Sequence, residues 1–79
     1  MTWDKCRSCA LDAVDGEYFG VLSLEECKEE CVAKEGCTAI EYGKNDLAEE
    51  CYLKYGTDWI RKKNNDLDAY IIDLGIDTF

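Results

Sequence analysis

Six cysteines stand among 79 residues that include no histidine and no proline, and this feature most narrows what the chain can become. A chain so short buries only about 60% of the surface its unfolded form exposes, so its apolar core is marginal and disulfides or a metal commonly make up the difference. Such cysteine usage far exceeds what a reducing cytosol tolerates, which points to disulfides and to a secreted or extracellular protein. The N-terminus Met1-Thr2-Trp3-Asp4 lacks the charged and apolar regions of a signal peptide. The expectation is therefore either a signal already removed or a module excised from a longer protein. No apolar stretch of about 18 residues is present, and membrane insertion is not expected.

The net charge is -9, with acidic residues spread along the whole chain. A field of that sign repels phosphate backbones, anionic lipid and sulfated glycans at long range, so nucleic acid is excluded as a partner. It also keeps a small isolated domain soluble and monomeric.

Residues 1–79 read as a single domain without repeats, low-complexity tracts or linkers, and with proline absent glycine is expected to supply most of the turns. Ser23-Leu-Glu-Glu26 matches a capping box, in which the Ser23 hydroxyl accepts from the Glu26 amide and the Glu26 carboxylate reaches back. A helix is predicted from Leu24 to Glu35, with Glu30 and Lys34 paired at four-residue spacing and Gly36 as a left-handed cap. Leu24, Cys27 and Cys31 share its inward face. Beyond it, Cys37-Thr-Ala-Ile-Glu-Tyr42 and Cys51-Tyr-Leu-Lys-Tyr55 alternate in polarity around a polar turn and read as a hairpin. Tyr18-Phe-Gly-Val-Leu22 suggests a strand before the helix, and Tyr70, Ile72, Leu74 and Ile76 fall on one side of a closing strand. The segment from Gly56 to Leu67 reads as a loop or short helical turn opened by Thr57 or Asp58. The fold class is α+β: one helix packed on an antiparallel sheet and stabilised by disulfides.

Cys27 and Cys31 are too poorly aligned along one helix to bond to each other, so each is expected to reach into the hairpin. The succession Cys27-Lys-Glu-Glu-Cys31, Gly36-Cys37-Thr-Ala-Ile-Glu-Tyr42 and Cys51-Tyr-Leu53 resembles the core signature of the PAN/apple family. The resemblance covers about Leu22 to Tyr55. It implies that two bridges tie the helix to the sheet, Cys27 to Cys51 and Cys31 to Cys37. It also implies a non-catalytic extracellular module that recognises proteins or carbohydrates, as in parasite surface adhesins, growth-factor N-terminal domains and leech antiplatelet proteins. The chain departs from the fuller apple pattern, which often joins an N-terminal cysteine to one in the last strand, because no cysteine follows Cys51. Cys6 and Cys9 are left over. A local Cys6 to Cys9 bridge is the economical assignment, beside an intermolecular bond or a partner outside this chain.

Cys6-Arg-Ser-Cys9 has the spacing of a redox pair, yet only Arg7 is at hand to lower a thiol pKa and no βαβ pattern surrounds it. A thiolate zinc module is the rival reading, but later spacings of three, five and thirteen intervening residues lack a second knuckle. An unrelated small secreted signal or inhibitor protein is the other. Asp12-Ala-Val-Asp15-Gly16-Glu17 lacks the carboxylate spacing of a calcium loop and reads as a turn. With histidine absent and Ser23 already engaged as a cap, no nucleophile and base are paired, no concave pocket is evident, and neither enzyme activity nor a cofactor is expected. One epitope stands out. Trp59 lies beside Arg61, Lys62 and Lys63, the only run of three basic residues in an acidic chain, and Trp and Arg are enriched at binding hot spots. The candidate partner is an extracellular protein or a neutral glycan. The simpler reading of this run is a solvated basic loop whose tryptophan folds onto the core.

Overall fold

The computed structural model describes residues 2–73. Within them lie strands β1 (Thr2–Cys6), β2 (Cys9–Asp12) and β3 (Gly16–Val21), helix α1 (Leu24–Ala33), and strands β4 (Cys37–Gly43), β5 (Glu50–Tyr55), β6 (Ile60–Lys63) and β7 (Leu67–Asp73). Five strands form one antiparallel sheet in the order β1-β7-β4-β5-β3, and β2 pairs with β6 in a separate ribbon. Helix and ribbon cover opposite faces of that sheet.

Side-chain alternation along the strands sorts residues between these two faces. On the helix side Ile40 lies opposite Leu53 and Tyr70, and Tyr42 opposite Cys51. Ile40, Leu53, Tyr70 and Cys51 form one core with Cys27 and Cys31, against which Trp3, Leu22, Leu24, Tyr42 and Ile72 pack. On the ribbon side Ala39 faces Ile71 and Glu41 faces Ala69. There Ala39 and Ala69 meet Cys9 and Leu11 of the ribbon in a second core that also receives Cys6, Trp59 and Ile71. The buried apolar residues that the sheet contributes are large under the helix, Ile40, Leu53 and Tyr70, and small under the ribbon, Ala39 and Ala69, which lets the ribbon lie close to the sheet. Of the closing-strand positions, Tyr70 and Ile72 face the helix as anticipated, while Leu74 and Ile76 lie outside the described residues.

The helix starts at its capping box: the Ser23 hydroxyl accepts from the Glu26 N–H at 3.2 Å and the Glu26 carboxylate accepts from the Ser23 N–H at 3.1 Å. It ends at Ala33, two residues before the predicted Glu35, because Cys31 and Cys37 are bridged with their Cα atoms 5.3 Å apart. Six residues of continuous helix would separate those atoms by about 9 Å along the axis, so the chain must reverse before Cys37. Lys34 already has extended backbone, and Gly36, at φ 87°, completes the reversal. The Lys34 N–H still donates to the Glu30 carbonyl at 3.1 Å, but its ammonium pairs with Glu17 at 3.7 Å rather than with the Glu30 carboxylate.

Two further expectations are corrected. The segment after Gly56 is no helical turn: Ile60–Lys63 is a strand, made so by the partner β2 offers, with Cys9 opposite Lys63 and Leu11 opposite Arg61. Glycine also shares the left-handed positions, since Ser8, Ala13, Asn45 and Glu49 adopt positive φ as do Gly20, Gly36 and Gly56. Asn tolerates that region best among them, and the other three sit in tight reversals that the flanking strands impose.

Three disulfides tie the layers together: Cys27–Cys51 and Cys31–Cys37 join helix to sheet, and Cys6–Cys9 closes the turn between β1 and β2. The entropy of closing a loop in the unfolded chain grows with loop length, giving about 3.5, 2.5 and 2 kcal/mol for these bridges in that order. Paired cysteine-to-alanine variants should therefore lose urea resistance in the order Cys27/Cys51, Cys31/Cys37, Cys6/Cys9. Equal midpoints for the first and last pairs would contradict this ranking.

Candidate functional site

The candidate residues converge on the ribbon, and two buried or half-buried carboxylates hold that ribbon in place. Glu41, only 6% exposed, accepts the Leu11 N–H at 2.6 Å and lies 4.0 Å from the Lys54 ammonium. A buried carboxylate is tolerated where a donor and an opposite charge meet it, and this one fastens β2 to the sheet. Asp68 does the same for the turn before β2, accepting from the Ser8 N–H at 2.8 Å and pairing with Lys44 at 2.8 Å and Lys5 at 3.8 Å. Burial pushes the Asp68 carboxyl up, but the hydrogen bonds from Lys44 and Ser8, with the charges of Lys44 and Lys5, outweigh it and hold the group below its ordinary value. Lys44 also donates to the Ser8 hydroxyl at 3.0 Å. The Arg7-Ser8 turn is thus anchored from below as well as closed by Cys6–Cys9.

Two depressions open beside this ribbon. A groove of about 460 Å³ is lined by Cys31, Val32, Cys37, Thr38, Thr57, Trp59, Ile71 and Ile72. It sits where β4 begins and β7 nears its end, with the Cys31–Cys37 bridge in its wall, and it corrects the expectation that no concave pocket exists. A shallower dip of about 330 Å³ is lined by Cys6, Arg7, Ser8, Cys9, Arg61, Lys62 and Lys63. Trp59 therefore does not share a pocket with the three basic residues that follow it. Arg61 and Lys63 lie at the exposed margin of β6, Lys62 pairs with Asp12 at 3.7 Å, and the half-buried Trp59 packs on the ribbon-side core while it lines the groove.

Arg7 and Ser8 were not among the sequence candidates, although Arg7 is marked by its place inside Cys6-Arg-Ser-Cys9. What joins it to Arg61 and Lys63 is the pairing of Cys9 with Lys63 across more than fifty residues of chain, which no local pattern announces. All six sulfurs are committed to bridges, so the thiolate zinc reading has no ligands left. Among the described residues no helix is long and apolar enough to cross a membrane.

The model of one family, described as PAN domain, matches residues 3–79, a span that adds both the ribbon and β1 to the part on which the sequence resemblance rested. No curated protein matches the chain.

The anchoring of the Arg7-Ser8 turn by Asp68 makes a pH-dependent prediction. A carboxyl whose folded pKa is depressed contributes stability that is fully present above its unfolded value, here 3.8, and is lost as pH falls through the lower folded value. Asp68→Asn should destabilise the domain by about 1–3 kcal/mol at neutral pH, the range for a charged hydrogen-bonded group. The gap between variant and wild type should close below that carboxyl range. Urea titrations of both proteins from neutral to strongly acidic pH measure this, and a gap independent of pH would refute it.

Proposed function

The chain belongs to the PAN domain family, a family of protein- and carbohydrate-binding modules generally without catalytic activity, and from that premise we propose that it is an extracellular recognition domain whose ligand contacts the ribbon side. PAN domains with disulfides typically occur in extracellular proteins, and the three bridges suit secretion into an oxidising compartment. The observation that carries the reading is the groove around Trp59. An indole half-buried against a packed core is rigid, so little side-chain entropy is lost when a ligand covers it. Thr38 and Thr57 also line that apolar surface; the Thr38 hydroxyl donates to the Gly56 carbonyl and keeps its oxygen as an acceptor, so ring and polar groups lie together as a neutral sugar or a protein side chain can use. Arg61, Lys62 and Lys63 lie along the strand that follows and supply orientation rather than the anchor.

Charge sets the limits of the ligand class. At 0.01 M salt the Debye length is about 30 Å, well beyond the domain's 11.8 Å radius of gyration, so the whole net charge of -9 is felt. Four cations at one rim do not offset it for a dense polyanion. The proposed ligand is a protein surface or a neutral glycan rather than heparin.

Arrays of neutral glycans and of secreted-protein ectodomains, probed with the folded domain, should yield binding in at least one class. Trp59→Ala should weaken it about tenfold or more, equivalent to ~1.4 kcal/mol, while the protein passes through a low-salt heparin column with weak or no retention. Capture unchanged by Trp59→Ala would remove the groove from the ligand site, and firm heparin retention would overturn the electrostatic limit.

A further inference from the structure

The chain contains nine basic residues, and six of them have internal partners. Lys5 and Lys44 meet Asp68, Lys34 meets Glu17, Lys54 meets Glu41 and Lys62 meets Asp12. The Lys28 ammonium lies 5.6 Å from the Trp3 ring centre and 4.9 Å from that of Tyr70. Arg7, Arg61 and Lys63 remain, exposed, with no carboxylate partner among the described residues, and all three line the same dip. In a chain with 18 acidic residues against nine basic ones, cations that escape internal pairing and gather at one place form a site for an anion from outside.

The backbone beside them narrows what that anion is. Directly opposed residues of an antiparallel pair alternate between those that exchange hydrogen bonds and those that do not. The Leu11 N–H is directed to Glu41, so Leu11 and its opposite, Arg61, form a pair of the second kind. Arg61 and, two positions on, Lys63 therefore turn their N–H and C=O groups away from β2, and β6 pairs with no other strand among the described residues. The rim thus carries three unpartnered cations beside an open row of main-chain donors and acceptors.

We propose that the outer edge of β6 receives an extended acidic polypeptide segment as a third strand of the ribbon, hydrogen-bonded at Arg61 and Lys63, with its carboxylates meeting Arg7, Arg61 and Lys63. A sulfated glycan matches the cations but has no alternating amide row to match the edge, whereas a polypeptide has both. The two guanidinium groups suit carboxylates because their planar forks bind them in bidentate fashion. Cations along an edge also reject a second copy of that edge by like charge, so the same residues that admit an acidic strand keep two ribbons apart. The Cys6–Cys9 bridge and the Asp68 contact to the Ser8 N–H hold Arg7 in place beside the edge. This inference deepens the recognition reading but uses a different surface from the Trp59 groove.

The test uses the whole chain and a short synthetic peptide alternating glutamate with valine, followed by amide NMR. Two further versions of the peptide carry N-methyl groups, each on one of the two alternating sets of residues. The unmodified peptide should shift the Arg61 and Lys63 amides and slow their hydrogen exchange. One methylated version should bind like the parent, and the other, whose blocked amides face β6, should bind about tenfold more weakly or worse. Arg61→Ala with Lys63→Ala should weaken the parent peptide to a similar degree. Equal binding by all three peptides, indifference to the double substitution, absence of peptide binding, or displacement of the peptide by a heparin oligosaccharide would each overturn the proposal. Retention of glycan or ectodomain binding by the double variant, together with its loss in Trp59→Ala, separates failure of this inference from failure of the groove reading.

Discussion

The bridge from Cys27 to Cys51 is the contact on which the rest of the domain depends, because it joins the middle of the only long helix among the described residues to an inner strand of the sheet. Half of the buried residues in the helix-side core are cysteines: Cys27, Cys31 and Cys51 stand with Ile40, Leu53 and Tyr70. In a chain this small the disulfides do not reinforce a core that already exists. They are a large part of its apolar substance, and they also reduce the freedom of the unfolded chain. The same covalent constraint sets the helix's length, since Cys31 reaches Cys37 only if the chain turns after Ala33.

The other face of the sheet is held by a different kind of force. There the buried apolar residues are few and mostly short, Ala39, Ala69, Cys9 and Leu11, with Cys6, Trp59 and Ile71 only partly buried against them, and burying less apolar surface gives less stabilisation. Glu41 and Asp68 complete the attachment by accepting main-chain N–H groups of Leu11 and Ser8, the first bond buried and the second part-buried. These bonds position the ribbon as well as attaching it. They decide which edge of β2 faces inward and, through the ladder, which main-chain groups of β6 face outward.

This arrangement separates two chemically different surfaces whose residues lie side by side in the sequence. Trp59 turns onto the packed side and lines an apolar groove with the Cys31–Cys37 bridge, whereas Arg61 and Lys63 stand at the ribbon's margin beside Arg7. A ligand anchored on the indole and a segment laid along the β6 edge would occupy neighbouring surfaces of one small domain, each with its own dependence on salt. Under the proposed reading, an acidic protein with one cationic rim discriminates by local geometry, because its long-range field offers anions no encouragement.

The elements legible in the sequence were those whose signals are local. The capping box placed the start of α1, the alternation in Cys37–Tyr42 and Cys51–Tyr55 placed β4 and β5, and the cysteine spacing pointed to a helix bound to a hairpin. The resemblance that rested on these residues supplied the pairing of the bridges. β1, β2 and β6 were not legible, for physical reasons that differ. Cys9-Ala-Leu11 is buried on both faces and shows no alternation, while Ile60-Arg-Lys-Lys63 is exposed throughout and reads as solvated charge. Each becomes a strand only because the other lies opposite it. By itself the sequence determined an oxidised α+β domain with a helix on a sheet and a basic run after Trp59. Only the tertiary structure decided that Trp59 and that run lie on different surfaces and that Arg7 joins the second, because those placements depend on pairing between segments some fifty residues apart, which no periodicity within either segment encodes.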